Sequence, residues 1–302
     1  MIKIAFHGSY AHPLPEGHRF PMLKYELIPE QLLHQGIVKQ QQFFSPDLVS
    51  EEVICLAHQR SYWQSLKELA LPAKEQRRIG FPLTKQLIDR ECRIVQGTIQ
   101  GALLAKKYGI AFNVAGGTHH AGSNWGEGFC LLNDQAVAAN YLLNNKLSHN
   151  ILIIDLDVHQ GNGTAQIFNR CSNVFTFSMH GENNFPFRKE KSDLDVGLDD
   201  GCLDAEYLDR LRLSLNFFES NLKPDFVFYL AGVDVLGTDK LGKLKLSRSA
   251  CRQRDEMVFA YCKRQNLPVQ VSMGGGYSSS IRDIVDAHCA TFKAGIDIFE
   301  EL

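Results

Sequence analysis

Six short runs, Ile2–Phe6, Ile110–Ala115, Ile151–Leu156, Val174–Phe177, Phe226–Leu230 and Val269–Val271, are apolar on both faces, and longer amphipathic stretches separate them. A strand that is apolar on both faces has to be covered on both faces. The stretches Thr84–Tyr108, Asp134–Asn144, Asp204–Ser220, Ser247–Gln265 and Ser280–Phe299 supply helices for that purpose, with Ser247 and Ser280 placed as N-caps. The alternation predicts an α/β chain: a three-layer α/β/α arrangement around a central, mainly parallel sheet. The sequence has no repeat, low-complexity tract or linker rich in Gly, Pro or Ser, so one domain over residues 1–302 is the simplest organisation.

Composition narrows the partners. A formal charge of -2 over 302 residues gives no bulk field for nucleic acid or anionic membrane, so direct binding to either is not expected. No apolar run reaches the roughly 18 residues a membrane helix needs. Met1–Phe6 is too soon interrupted for a signal peptide and reads as a first strand. The eight cysteines are scattered without a Cys-x-x-Cys pair, which suits free buried thiols and a reducing cytoplasm rather than a disulfide framework or a thiolate zinc site. Oligomeric state is not legible at this level.

The unusual polar clusters follow the apolar runs. Gly116-Gly117-Thr118-His119-His120 comes after Ala115, Asp157 and His159 after Leu156, Ser178-Met179-His180 after Phe177, Asp234 after Leu230, and Gly274-Gly275-Gly276-Tyr277 after Val271. Open parallel sheets place ligands at the C-terminal ends of their strands, so these separate segments are expected to converge on one crevice. The stretches Gly8–Pro21, Leu71–Leu83, Gly116–Gly128 and His180–Asp204 read as irregular and long enough to be functional loops.

Asp155-Leu156-Asp157-Val158-His159 is the sharpest local pattern. Residues two apart on an extended strand end share a face. Two carboxylates and an imidazole there are costly to bury without a cation. Taken alone, an Asp-x-His more often caps a turn or packs in a core. Beside Asp234 and a histidine pair at matching strand ends, it points to zinc held by Asp157, His159 and Asp234, with an open position for water. Asp155 could serve a second ion, but Gly161 stands two beyond His159 where an acid would be wanted, so one catalytic metal is favoured.

A histidine doublet in a glycine-bracketed loop suits proton transfer next to a metal-bound water. Asp155 is the candidate partner of His119, and Asn162 that of His120. A charged partner raises imidazole basicity more than a neutral one, so the two rings should differ in pKa and divide acid from base. Which of them is the base stays open, with His119 preferred as the group left protonated for the leaving amine. Tyr277, after three glycines that let substrate pass close by Gly275, could donate to a developing oxyanion. On its own it would read as a surface turn residue.

In order and at appropriate separations, Gly116–His120, Gly128-Phe129-Cys130, Asp155–Gly163, Ala231–Asp234 and Gly274–Tyr277 resemble the motifs of the histone deacetylase family. Pro15-Glu16-Gly17-His18-Arg19-Phe20-Pro21 resembles bacterial and class IV members. The resemblance implies an arginase/deacetylase fold and hydrolysis of an acetyl or longer acyl group from lysine side chains of proteins or peptides. It implies His119 and His120 as the acid–base pair, Tyr277 as the group polarising the carbonyl, and Zn2+ on Asp157, His159 and Asp234. It further implies a structural K+ at Asp155 and at the main-chain oxygens of Asp157 and His159, with Ser178 and Met179. Gly128, Phe129 and Phe185 would line a narrow acyl-lysine tunnel, although as isolated residues both phenylalanines read as core. Gln160 and Asn162 stand where class I enzymes carry His and an acid; there the chain is similar to class IV, and class I substrate preference does not transfer. Two other readings remain: hydrolysis of acetylpolyamines or another small acylated amine, and an inactive module that only binds acyl-lysine.

Overall fold

The computed structural model describes residues 1–300. Among these residues the strands are β1 (Lys3–Ala5), β2 (Phe43–Phe44), β3 (Ile110–Asn113), β4 (Ile151–Asp155), β5 (Val174–Gly181), β6 (Leu194–Leu198), β7 (Phe226–Leu230) and β8 (Val269–Ser272). They form one sheet in the order β2-β1-β3-β8-β7-β4-β5-β6. Every pairing is parallel. The helices are α1 (Lys24–His34), α2 (Glu51–Ile54), α3 (Arg60–Lys67), α4 (Ala73–Ile79), α5 (Lys85–Tyr108), α6 (Asp134–Asn144), α7 (Asn162–Phe168), α8 (Asp204–Asn221), α9 (Arg248–Arg264) and α10 (Ile281–Glu300). None is long and apolar enough to cross a membrane.

The central strands are buried throughout because their side chains pack into helices on either side; all residues of β3, β4, β7 and β8 are buried. Local chemistry sets the helix limits. Thr84 accepts from the Leu87 amide at 3.1 Å to start α5, and Gly109 at φ +87 ends it. Ser247 accepts from the Ala250 amide at 3.1 Å to start α9, while α10 begins one residue after Ser280. Each satisfied terminal amide removes a donor the helix cannot pair internally.

Two expectations change. The stretch His180–Asp204 is not wholly irregular, since β5 runs on to Gly181 and β6 lies inside it. Ser178, Met179 and His180 therefore lie within a strand instead of following one. The reason is the pairing with β6, which carries the ladder from Phe177↔Leu194 to Gly181↔Leu198. Leu71–Leu83 likewise contains α4. Both were hidden because an edge strand and a short surface helix carry mixed polarity with little period.

Register aligns the strand ends. Asp155 lies opposite both Ser178 and Leu230, Leu230 opposite Ser272, and Ser272 opposite Asn113. The loops that follow leave from one line along the sheet. Arg254 of α9, fully buried, ties two of them together: its Nη1 donates to the Gly232 carbonyl at 2.5 Å and the Leu156 carbonyl at 3.2 Å. Its charge is met by Asp255, which accepts from Arg254 Nε at 2.9 Å, from the Tyr229 hydroxyl at 2.5 Å and from Thr291 Oγ1 at 2.6 Å. Arg254→Leu leaves the Asp255 carboxylate buried without a counter-charge, and should cost about 3–5 kcal/mol of stability by denaturant unfolding. An unchanged unfolding midpoint would show that the pair carries no such weight.

Candidate active site

The loop after β4 brings Asp157 and His159 together by local turns. Asp155 Oδ1 accepts from the Asp157 amide at 3.1 Å, and Asp157 Oδ1 accepts from the His159 amide at 3.0 Å. The strand has already ended at Asp155, so these turns, and not the alternation of an extended pleat, direct the three side chains. Asp234 arrives from the loop after β7, where its Oδ1 accepts from the Val158 amide at 2.9 Å. Asp157 Oδ2 accepts from the Gly275 amide at 2.7 Å, which draws in the loop after β8. Gly275 has to be glycine because a Cβ there would run into the Asp234 carboxylate.

One ligand atom from each of Asp157, His159 and Asp234 lies within 4.8 Å of the others, and all three residues are buried. His159 Nδ1 is 3.0 Å from Asp157 Oδ1 and 3.2 Å from Asp234 Oδ2. The second contact lacks hydrogen-bond geometry, so Asp234 Oδ2 is a buried oxygen without a hydrogen-bond donor among the described residues. Burial, together with the charge of Asp157, pushes the Asp234 carboxyl up to about 7. Two carboxylates this close and this dry, with an oxygen to spare, fit a divalent cation.

The loop after β3 sets the two histidines above this cluster, their ring centroids 4.0 Å apart. His119 Nδ1 is 2.7 Å from Asp155 Oδ2, and His120 Nδ1 is 2.7 Å from Asn162 Oδ1. Their surroundings separate their acidities. Burial works against protonation of His119, but Asp155 and Asp157 outweigh it and raise its pKa above the ordinary value. Burial, followed by the neighbouring His119 and His159, holds His120 well below the ordinary value.

Residues not singled out from the sequence hold this arrangement. Asp134 accepts from the Thr118 amide at 2.9 Å, Thr118 Oγ1 at 2.8 Å, Thr98 Oγ1 at 2.7 Å and Ser272 Oγ at 3.0 Å, pinning the histidine loop to α5 and β8. Glu127 accepts from Asn162 Nδ2 at 2.5 Å, which leaves the Asn162 oxygen turned to His120. Asp239 accepts from the Tyr277 amide at 2.6 Å. Lys24 is fully buried, with Nζ donating to the Gly274 carbonyl at 3.2 Å; burial lowers its pKa to about 8 against the pull of Asp234 and Asp157. A sequence shows each of these only as an unremarkable charge on a helix or loop.

Tyr277, partly buried, borders the same space. Its ring centroid is 5.9 Å from that of Phe129, and burial, then Asp157 and Asp234, keep its phenol well above the ordinary pKa. Phe185 stands on the other side, 4.9 Å from the His120 ring and 6.5 Å from the His159 ring. Gly128 at φ +56 and Phe129 at φ +67 both take the left-handed region, anchored by amides donating to the Arg78 carbonyl at 3.1 Å and the Ile79 carbonyl at 2.7 Å. Left-handed backbone at a phenylalanine is costly, and such strain concentrates at functional sites. A small cavity of about 40 Å³ lies beside His119, His120, Asp157, His159 and Tyr277. An outer one of about 400 Å³ opens past Phe129, Phe185 and Tyr277. The larger groove of about 900 Å³ between α1 and α10 shares no residue with either. Of the residues that the resemblance assigns to potassium, Asp155 and Ser178 face each other across β4 and β5, Met179 is buried in β5, and the Ser178 hydroxyl is 2.9 Å from His180 Nδ1.

A parallel α/β sheet with a buried Asp–His–Asp cluster and a histidine pair at its C-terminal edge defines the class. The histone deacetylase domain matches residues 18–292, and the chain belongs to the histone deacetylase family. It is 43% identical over 298 residues to an uncharacterised protein of Picosynechococcus, covering 99% of each chain. It is 31% identical over 307 residues to histone deacetylase 2 of Arabidopsis thaliana, covering 95% of this chain and 77% of the relative. Among solved structures, an HDAC homologue complexed with SAHA superposes with a TM-score of 0.84 at 24% identity, over 99% of this chain and 84% of that one. An HDAC homologue from Aquifex aeolicus superposes with a TM-score of 0.81 at 22% identity, over 99% and 88%. At these identities the structures attest the fold.

His58 ties the segment after the histidine loop to the scaffold: its Nε2 accepts from the Asn133 amide at 2.9 Å, and its Nδ1 lies 3.0 Å from the Gly122 carbonyl. Burial, against the bond to Gly122, lowers its pKa from 6.5 to about 4. The folded state therefore holds this ring neutral where the unfolded chain would protonate it, so stability is full above about 6.5 and declines as pH falls towards about 4. At pH 5 the loss from this residue should be about 2 kcal/mol relative to pH 7. Denaturant unfolding at both values should show a smaller drop in His58→Gln than in the parent; equal drops would contradict the assignment.

Proposed function

We propose that the chain is a zinc-dependent amidohydrolase that removes an acetyl or other acyl group from lysine side chains of a peptide or protein. The observation that carries this reading is the meeting, in one buried space, of the Asp157–His159–Asp234 cluster with two imidazoles of unequal partners. Asp157, His159 and Asp234 would hold the zinc. When bound, zinc supplies Lewis acidity towards an acyl carbonyl and makes water more acidic. A structural K+ near Asp155, with Ser178, Met179 and the main-chain oxygens of Asp157 and His159, belongs to the same proposal.

His120, kept neutral by burial and neighbouring imidazoles, is the base that takes the proton from the attacking water. His119, with its pKa raised by Asp155 and Asp157, is the acid that returns a proton to the leaving amine. Asp155 fixes the His119 tautomer through Nδ1, and Asn162 fixes that of His120 without adding charge. Tyr277 keeps its proton and donates to the oxygen on which charge develops. Gly128, Phe129 and Phe185 flank the approach, and the apolar ring faces suit the methylene chain of lysine. The family membership supports the reaction class.

Turnover of an acetyl-lysine peptide should fall about 10²–10³-fold in Tyr277→Phe. It should fall on the order of 10²–10⁴-fold in His119→Ala or His120→Ala. Acetate release with correctly folded variants is the measurement. Full turnover in Tyr277→Phe would remove the oxyanion role, and full turnover in both histidine variants would remove the mechanism.

A further inference from the structure

The outer cavity, about 400 Å³, has Arg19, Arg78 and Lys243 among its lining residues and, among the described residues, neither Asp nor Glu. Two of these cations have acid partners, one buried (Glu127) and one half-exposed (Asp200). Arg78 Nε reaches Glu127 at 2.5 Å, and Lys243 Nζ reaches Asp200 at 3.3 Å, neither acid lining the opening. Arg19, exposed, has no carboxylate partner among the described residues; its guanidinium lies 5.0 Å from the centroid of the Phe129 ring. The same opening carries Phe187, 92% exposed, beside the partly buried Phe185. A chain of net charge -2 thus gathers positive charge around the entrance to a site whose floor is acidic.

We propose that this rim selects acyl-lysine in polypeptide segments with acidic residues beside the modified lysine, and rejects acylated polyamines. The inference rests on the amidohydrolase reading of the site and adds its substrate class. The amide that enters the narrow passage is neutral and does not sense the rim, so discrimination falls on whatever remains outside. An acetylated polyamine keeps ammonium groups a few carbons from its amide, which places them against Arg19, Arg78 and Lys243. A polypeptide offers backbone and apolar side chains to Phe185 and Phe187, and an aspartate or glutamate nearby can pair with Arg19, where the fork of the guanidinium favours a carboxylate. Like charges at this range are unfavourable and unlike charges favourable, both in a salt-dependent way.

The test compares acetyl-lysine peptides flanked by two Asp or by two Lys, together with an acetylated polyamine, on the zinc-loaded 302-residue chain. Hydrolysis and fluorescence anisotropy of labelled peptides are followed in parallel. The Asp-flanked peptide should exceed the Lys-flanked one by roughly three- to tenfold in both kcat/KM and affinity at low salt. The ratio should approach one at about 0.5 M salt. Arg19→Glu should bring the low-salt ratio to one or below. Lys223→Glu, the same charge change just ahead of β7 at the opposite edge of the sheet, should leave it in place. Equal handling of the two peptides, faster cleavage of the polyamine, or an Arg19→Glu effect no larger than that of Lys223→Glu would overturn the proposal. If no peptide is cleaved but anisotropy keeps the charge order and its reversal, the hydrolytic reading fails and the rim assignment stands. Absence of both binding and cleavage would overturn the two together.

Discussion

Two carboxylates, Asp157 and Asp234, are held against one imidazole in a buried space, and much of the surrounding structure keeps them there. Such a grouping is unfavourable by itself, since each charge loses hydration and the acids repel. The chain offsets part of this with the amides of Gly275 and Val158, which donate to the carboxylates. The buried Asp234 oxygen left without a donor among the described residues is what a divalent ion would satisfy.

The parallel sheet makes the grouping feasible. With all strands running the same way, Asp155, Leu230 and Ser272 end side by side, and their loops need only short paths to meet. Buried ionic side chains then lock those loops. Arg254 grips the carbonyls after β4 and β7, Asp134 grips the histidine loop, and Asp239 holds the Tyr277 backbone. These groups touch no reacting atom in the proposed chemistry, yet sub-ångström placement of those that do depends on them.

Much of this was readable from the residues. The layer architecture followed from apolar runs and amphipathic stretches, and the crevice from polar clusters at the ends of those runs. The sequence could not display partners brought together by tertiary contact. Arg254 and Asp255 sit in a helix whose pattern reads as an ordinary polar face, and only burial reveals them as an ion pair. Lys24 reads as a surface charge but has no exposed area at all. The β6 edge strand was lost in mixed polarity, and with it the extension of β5 through Ser178–His180. Strand pleating predicts that Asp157 and His159 converge, but their convergence arises from backbone turns that a spacing rule does not encode.

The most direct measurement is the zinc content of the purified, folded protein, by mass spectrometry of the metal, for the parent chain and for Asp234→Asn. One tightly held zinc per chain in the parent, and little or none in the variant at matched folding, is the predicted result. A parent chain that binds no divalent ion, or a variant that retains it at the same affinity, would contradict the account.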